Sequence, residues 1–205
     1  MPGGRPARFA PARRRPDVAL TFDDGPGDAT ETLLAELARH TAPATFFVVG
    51  SRIRGREPLI RSIAAGGHEL GCHSWSHRRL ARRPARAWIE LRRTARALRR
   101  AGAPSPRLFR PPYSSWSRAL GSAVRLAGMR AVGWDVDPRD WEARDPELIV
   151  DRVYSGAHSG SIVILHDRAD CAATRAALPA LIGGLRDRGM RLVTVSELLA
   201  AAPPR

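Results

Sequence analysis

Two adjacent carboxylates, Asp23 and Asp24, stand in the stretch LTFDDGP, directly after an apolar run and before a Gly-Pro turn. A single Asp here would be turn chemistry, since Asp, Gly and Pro each favour a tight reversal. A second Asp repels the first, and each must then be compensated by a cation, a donor or a proton. His73 and His77, four apart in HSWSH, point to the compensating charge. Two imidazoles and one carboxylate are a common ligand set for zinc or a related divalent ion, with open positions left over. One aspartate can ligate while the other stays free as a general base, because a divalent ion makes its water acidic enough to lose a proton near neutral pH. The reaction class is metal-assisted hydrolysis of an amide or ester. It also needs donors for an oxyanion and an acid for the leaving group. His166, at the end of the apolar run SIVIL, is the natural acid.

These residues sit where apolar runs end. From Val18 onward, seven short apolar runs alternate with amphipathic stretches, from DVALTF and its helix around Thr30 to His40 through to MRLVTV and SELLAA. Such alternation implies a parallel sheet with helical crossovers. His, Asp, Arg or Tyr lie at five strand ends: FDDGP, GCHSWSH, FRPPYS, GWDVDPRDW and ILHD. A doubly wound sheet gathers its site at one switch point, whereas a barrel draws on many strand ends. The expectation is therefore an α/β fold of the (β/α) barrel kind with about seven parallel strands. No Gly-rich phosphate fingerprint follows the first strand, which weighs against a nucleotide site.

A chain of 205 residues suits one domain. Residues 1–15 read as a basic, disordered arm, 16–200 as the domain and 201–205 as a tail. The net charge of +14 comes with no lysine at all, so arginine-rich codon bias competes with an anionic partner as its explanation. Arginines cluster in the arm and in the stretch from His77 to Arg100, where Trp88, Leu91, Ala95 and Leu98 have the spacing of an amphipathic helix with a basic outer face. The stretch has little aromatic interleaving and no nucleic-acid motif, which leaves attraction to an anionic polymer as an accessory role. Cys72 and Cys171 lack metal-type spacing. With no signal-peptide pattern and no spanning run, the chain reads as a soluble cytoplasmic monomer, unless an export signal lies upstream.

Five motifs in order, TFDDGP, HSWSH, RPPYS, DPRDW and ILHD, resemble the polysaccharide deacetylase family, carbohydrate esterase family four or NodB homology domain. The resemblance covers about Pro16 to Ala200. It implies a deformed (β/α) barrel and a metal-dependent deacetylase of N-acetylated, or sometimes O-acetylated, glycans of the peptidoglycan or chitin type. The implied ligands of one divalent ion, zinc first and cobalt or nickel as alternatives, are Asp24, His73 and His77. Asp23 becomes the base, Arg110 its positioning partner, His166 the acid and Asp137 the carboxylate that orients it. Tyr113 would offer its backbone N–H to the oxyanion, and Trp141 with Ile164 or Leu165 would wall the acetyl pocket. Ser114 stands where the family usually has Gly, which questions the turn's φ angle. Alternation along its strand points Cys72 away from His73. A small non-sugar amide hydrolase on the same barrel, or a binder of anionic polymers, are the rival readings.

Overall fold

Strand β1 (Asp17–Asp23) is buried at every position, as a central parallel strand with both faces covered must be. Its alternation divides the interior: Val18, Leu20 and Phe22 face the helices, whereas Ala19, two residues before Thr21, faces inward. The computed structural model describes residues 16–201, so the basic arm lies outside the described residues. The remaining elements are α1 (Thr30–Arg39), β2 (Thr45–Val48), α2 (Glu57–Ala65), β3 (Glu69–Cys72), α3 (Pro84–Arg100), β4 (Leu108–Phe109), α4 (Arg118–Leu126), β5 (Arg130–Ala131), α5 (Pro146–Gly156), β6 (Ile162–His166), α6 (Ala172–Asp187), β7 (Arg191–Leu192) and α7 (Val195–Ala200). No helix among them is long and apolar enough to cross a membrane.

All strand pairs are parallel, in the order β5-β4-β3-β2-β1-β6. β1 has a third neighbour: β7 pairs with Asp17 and Val18, below the residues that pair with β2. The sheet curls without full closure. Between β5 and β6 the gap is bridged by the segment that follows β5, where Val136 lies against Val163 and accepts a hydrogen bond from the Ile164 N–H at 3.0 Å. This is the deformed (β/α) barrel expected. Its floor is closed by the start of α7: the Val195 N–H donates to Thr45 Oγ1 at 2.9 Å, and the Ser196 N–H to Glu69 at 3.0 Å. Val193, Val195 and Leu198 pack there with Ala19, Phe47 and Leu108.

Helix α3 departs from expectation in two respects. It begins at Pro84 rather than near His77, since proline suits a first turn and the preceding residues form the loop that leaves the site. Its buried stripe runs through Ala87, Leu91, Ala95 and Leu98, joined by Glu90 and Thr94, while Trp88 is 42 % exposed. Cys72 points into the helix-side cluster with Leu91 and Phe109, away from the site, and burial pushes its thiol up to about 12.

Candidate active site

Asp23 ends β1 on the inward face, and the parallel register sets it beside His166 of β6. Asp24 would alternate to the opposite face, but its φ of 77° breaks the strand and redirects it. The two carboxylates then acquire different partners. Asp23 Oδ1 accepts from Arg110 Nη1 at 2.8 Å. Asp24 Oδ1 lies 2.9 Å from His77 Nε2 and 3.6 Å from His73 Nε2.

Arg110 is fully buried at the end of β4, against the rings of Phe47 (4.1 Å) and Trp134 (5.4 Å). It also donates to Thr21 Oγ1 at 2.6 Å and the Gly133 carbonyl at 2.9 Å. Burial lowers its pKa and Asp23 opposes the fall. Its own carbonyl contacts His73 Nδ1 at 2.8 Å, which turns Nε2 toward Asp24. That backbone contact fixes which imidazole nitrogen is free to ligate.

Asp24, His73 and His77 fit a divalent ion. One ligand atom from each lies within 4.8 Å of the others. Two of those separations bracket the roughly 3.3 Å edge of a tetrahedron with bonds of about 2.0–2.1 Å. Asp24 Oδ1 is buried and makes no hydrogen bond of good geometry, an oxygen that wants a cation. Burial pushes the Asp24 carboxyl up, but His77 and His73 more than offset this and hold it well below the usual carboxylate range. Burial lowers the His73 pKa, which favours the neutral, ligating imidazole.

The HSWSH turn places His77 through two left-handed residues, Ser74 (φ 65°) and His77 itself (φ 54°). Neither is glycine, so the turn must be held from outside. Glu90 of α3 accepts from the Trp75 and Ser76 N–H groups at 3.2 and 3.1 Å and from Ser76 Oγ at 2.8 Å. Thr94, one turn on, donates to the Ser74 carbonyl at 3.0 Å. Gly50 donates to the same carbonyl at 3.0 Å, and a Cβ there would come within 2.6 Å of the Trp75 ring.

His166 corrects one expectation. Its Nδ1 contacts Asp140 Oδ1 at 2.7 Å and its N–H donates to Asp140 Oδ2 at 2.8 Å, so the orienting carboxylate is Asp140, not Asp137. Thr174 holds Asp140 from α6 at 2.7 Å. Asp137 instead accepts from the Arg139 N–H at 2.9 Å and shapes the loop, in which Arg139 has φ 54°. Burial disfavours the His166 imidazolium, but the bond to Asp140 outweighs it and raises the pKa above 6.5.

At the rim, Tyr113 and Ser114 have φ of 56° and 51°, so Ser114 adopts the left-handed turn that glycine would allow more easily. The Tyr113 ring lies 4.8 Å from His77, and Trp141 is 49 % exposed. Of the two residues proposed for the acetyl wall, Ile164 is buried beside Thr21 on the inward face. Leu165 pairs with Phe22 and packs under the helices, so it does not line the site. Sequence reasoning missed Thr21, Glu90, Asp140, Thr174 and Asp167. Glu90 carries a readable signal: it is the lone carboxylate in the basic stretch from His77 to Arg100. Asp167, fully buried, donates its N–H to the Asp23 carbonyl at 2.8 Å and accepts from Thr30 Oγ1 at 2.6 Å; burial raises its pKa to about 6.

The family profile described as polysaccharide deacetylase matches residues 10–132. The chain is 40 % identical over 184 residues to the peptidoglycan-N-acetylmuramic acid deacetylase of Bacillus subtilis, covering 88 % of this chain and 38 % of that protein. It is 40 % identical over 190 residues to a chitooligosaccharide deacetylase of Sinorhizobium fredii, covering 85 % of this chain and 87 % of the relative. A solved structure of the Bacillus subtilis peptidoglycan deacetylase superposes with a TM-score of 0.84 at 36 % identity, covering 92 % of each chain. The chain thus spans well under half of one relative and most of the other. With the fold, the five motifs and these matches in agreement, the chain belongs to the polysaccharide deacetylase family.

Proposed function

We propose that this chain hydrolyses the acetyl amide of N-acetylated glycans of the peptidoglycan or chitin type, releasing acetate. One observation carries the reading: of two adjacent carboxylates, Asp23 is gripped by a buried guanidinium and Asp24 by His77, with His73 Nε2 between them at 3.8 and 3.6 Å, beside a histidine held by Asp140. Asp24, His73 and His77 would hold a divalent ion, for which zinc suits the donors and cobalt or nickel are alternatives. When bound, the ion supplies positive charge that polarises the acetyl carbonyl and acidifies water.

Asp23 takes a proton from the attacking water, and Arg110 keeps its carboxylate in place. As the tetrahedral carbon forms, the backbone N–H of Tyr113 donates to its oxygen. His166 gives its proton to the amide nitrogen as the C–N bond breaks, which makes the sugar amine a leaving group. The proton gained by Asp23 and the one lost by His166 balance through solvent. Ile164 and Trp141 receive the acetyl methyl group. Residues 16–200 form the working unit as a monomer, and the relatives named for peptidoglycan support the cell wall as its place of action.

The test combines metal analysis with acetate release from N-acetylglucosamine oligomers and from an acetyl ester. About one equivalent of divalent metal is expected, with turnover abolished by a chelator and reduced by roughly two to four orders of magnitude in Asp23→Asn. Activity that survives both treatments would overturn the mechanism.

A further inference from the structure

Residues 78–130 carry 15 arginines and a single carboxylate, Glu90, so this stretch alone holds a formal +14, equal to the charge of the whole chain. Codon bias alone raises arginine everywhere; it gives no reason for 19 of the 20 carboxylates to lie elsewhere. Arg86 pairs with Glu90 and Arg110 with Asp23. The other 13 are exposed, and among the described residues none has a carboxylate partner. They belong to α3, to α4 packed against it, to the adjoining loops and, for Arg130, to the start of β5.

This face runs into the site. Arg79 lies 4.6 Å from the Tyr113 ring, which is 4.8 Å from His77. Arg93 lies 3.8 Å from the ring of Trp75, inside the ligand turn. From that edge the 17 residues of α3 extend the basic track by about 26 Å.

We propose that this track docks the substrate strand itself, and that the strand is a carboxylate-bearing glycan rather than a neutral one. The inference rests on the deacetylase reading above and names its substrate class. Charge complementarity selects a polyanion, and continuity with the rim selects the polymer that also carries the acetyl group. Nucleic acid fits less well, because the aromatic faces that would stack bases are engaged: Trp75 by Arg93 and Trp88 by Arg92 at 5.7 Å. Long-range attraction of this kind raises encounter and local concentration, and salt weakens it.

The triple variant Arg92→Gln, Arg96→Gln, Arg99→Gln alters the solvent face of α3 with residues of similar helix propensity. It is compared with the wild type for retention on insoluble peptidoglycan, on the same material with its carboxylates amidated, and on duplex DNA. Turnover of soluble peptidoglycan strands and of a neutral N-acetylglucosamine oligomer is measured in parallel. The expected result is a roughly tenfold loss of kcat/KM on the peptidoglycan strands at low salt, with the neutral oligomer unchanged. High salt, or amidation of the carboxylates, removes the difference. Equal loss on both substrates, unaltered retention of the variant, or tighter retention on DNA than on peptidoglycan would each overturn the proposal. Wild-type protein retained on peptidoglycan but inert toward every acetylated substrate would sink the deacetylase reading. Wild-type protein that cleaves the oligomer but ignores the carboxylates would sink the docking track alone.

Discussion

Asp137 and Asp140 stand three residues apart in one loop, yet only Asp140 reaches His166. Both were visible in DPRDW as strand-end carboxylates. Their division of labour depends on the left-handed Arg139, a backbone choice that spacing does not reveal. The same holds for Ile164 and Leu165, where one residue of phase decides which side chain faces the site. The assignment predicts a pH profile. Because Asp140 holds the His166 pKa above its ordinary value, the protonated acid is present below that pKa and is lost as pH rises through it. In Asp140→Asn the alkaline limb of kcat/KM should move to lower pH, and the maximum should fall by roughly two orders of magnitude. Asp137→Asn should keep the wild-type profile and change stability by no more than about 0.5 kcal/mol. Matching shifts in both variants would return the role to Asp137.

At the scale of elements, the alternation of apolar runs and amphipathic stretches located the strands and α-helices to within a few residues, the start of α3 excepted, because each run is short and followed by its own helix. The start of α3 was harder to read, since arginine is compatible with both its first turn and the loop before it. What that helix does for the site shows in the sequence only as one isolated carboxylate: Glu90 and Thr94 grip a turn 14 to 20 residues earlier in the chain. Glu90→Ala strands two backbone N–H groups, at about 1–3 kcal/mol each if they stay dry. It should lower the melting temperature and weaken zinc binding roughly 10- to 100-fold in a competition titration with a chelating dye. Glu90→Gln, which keeps a carbonyl acceptor, should recover much of the affinity. Lost stability with zinc affinity unchanged would make Glu90 a support of α3 only. Gly50→Ala should disturb the same turn, through Thr94 Oγ1 and the Trp75 ring.

For the whole molecule, the barrel class followed from polar residues at many strand ends, but the manner of closure did not. The third neighbour of β1 and the Val136 bridge are tertiary pairings that leave no local trace in sequence. Charge segregation has a global consequence. With 15 arginines and one carboxylate gathered in residues 78–130, self-repulsion is greatest in dilute buffer, so raising salt from about 10 mM to about 200 mM should stabilise the protein. A gain of about 1 kcal/mol, or roughly 2–4 °C in melting temperature, is expected by calorimetry on the metal-loaded protein. A fall in melting temperature with salt would mean that attractive pairs dominate instead. Arg110 acts at this scale too: its guanidinium grips Thr21, Asp23 and the Gly133 carbonyl, while its own carbonyl meets His73. One residue thus serves as a caliper between proton acceptor and metal ligand, with a span set by bond lengths. The site and the barrel wall have a common failure point, and catalytic competence should disappear in the same cooperative step as the tertiary fold.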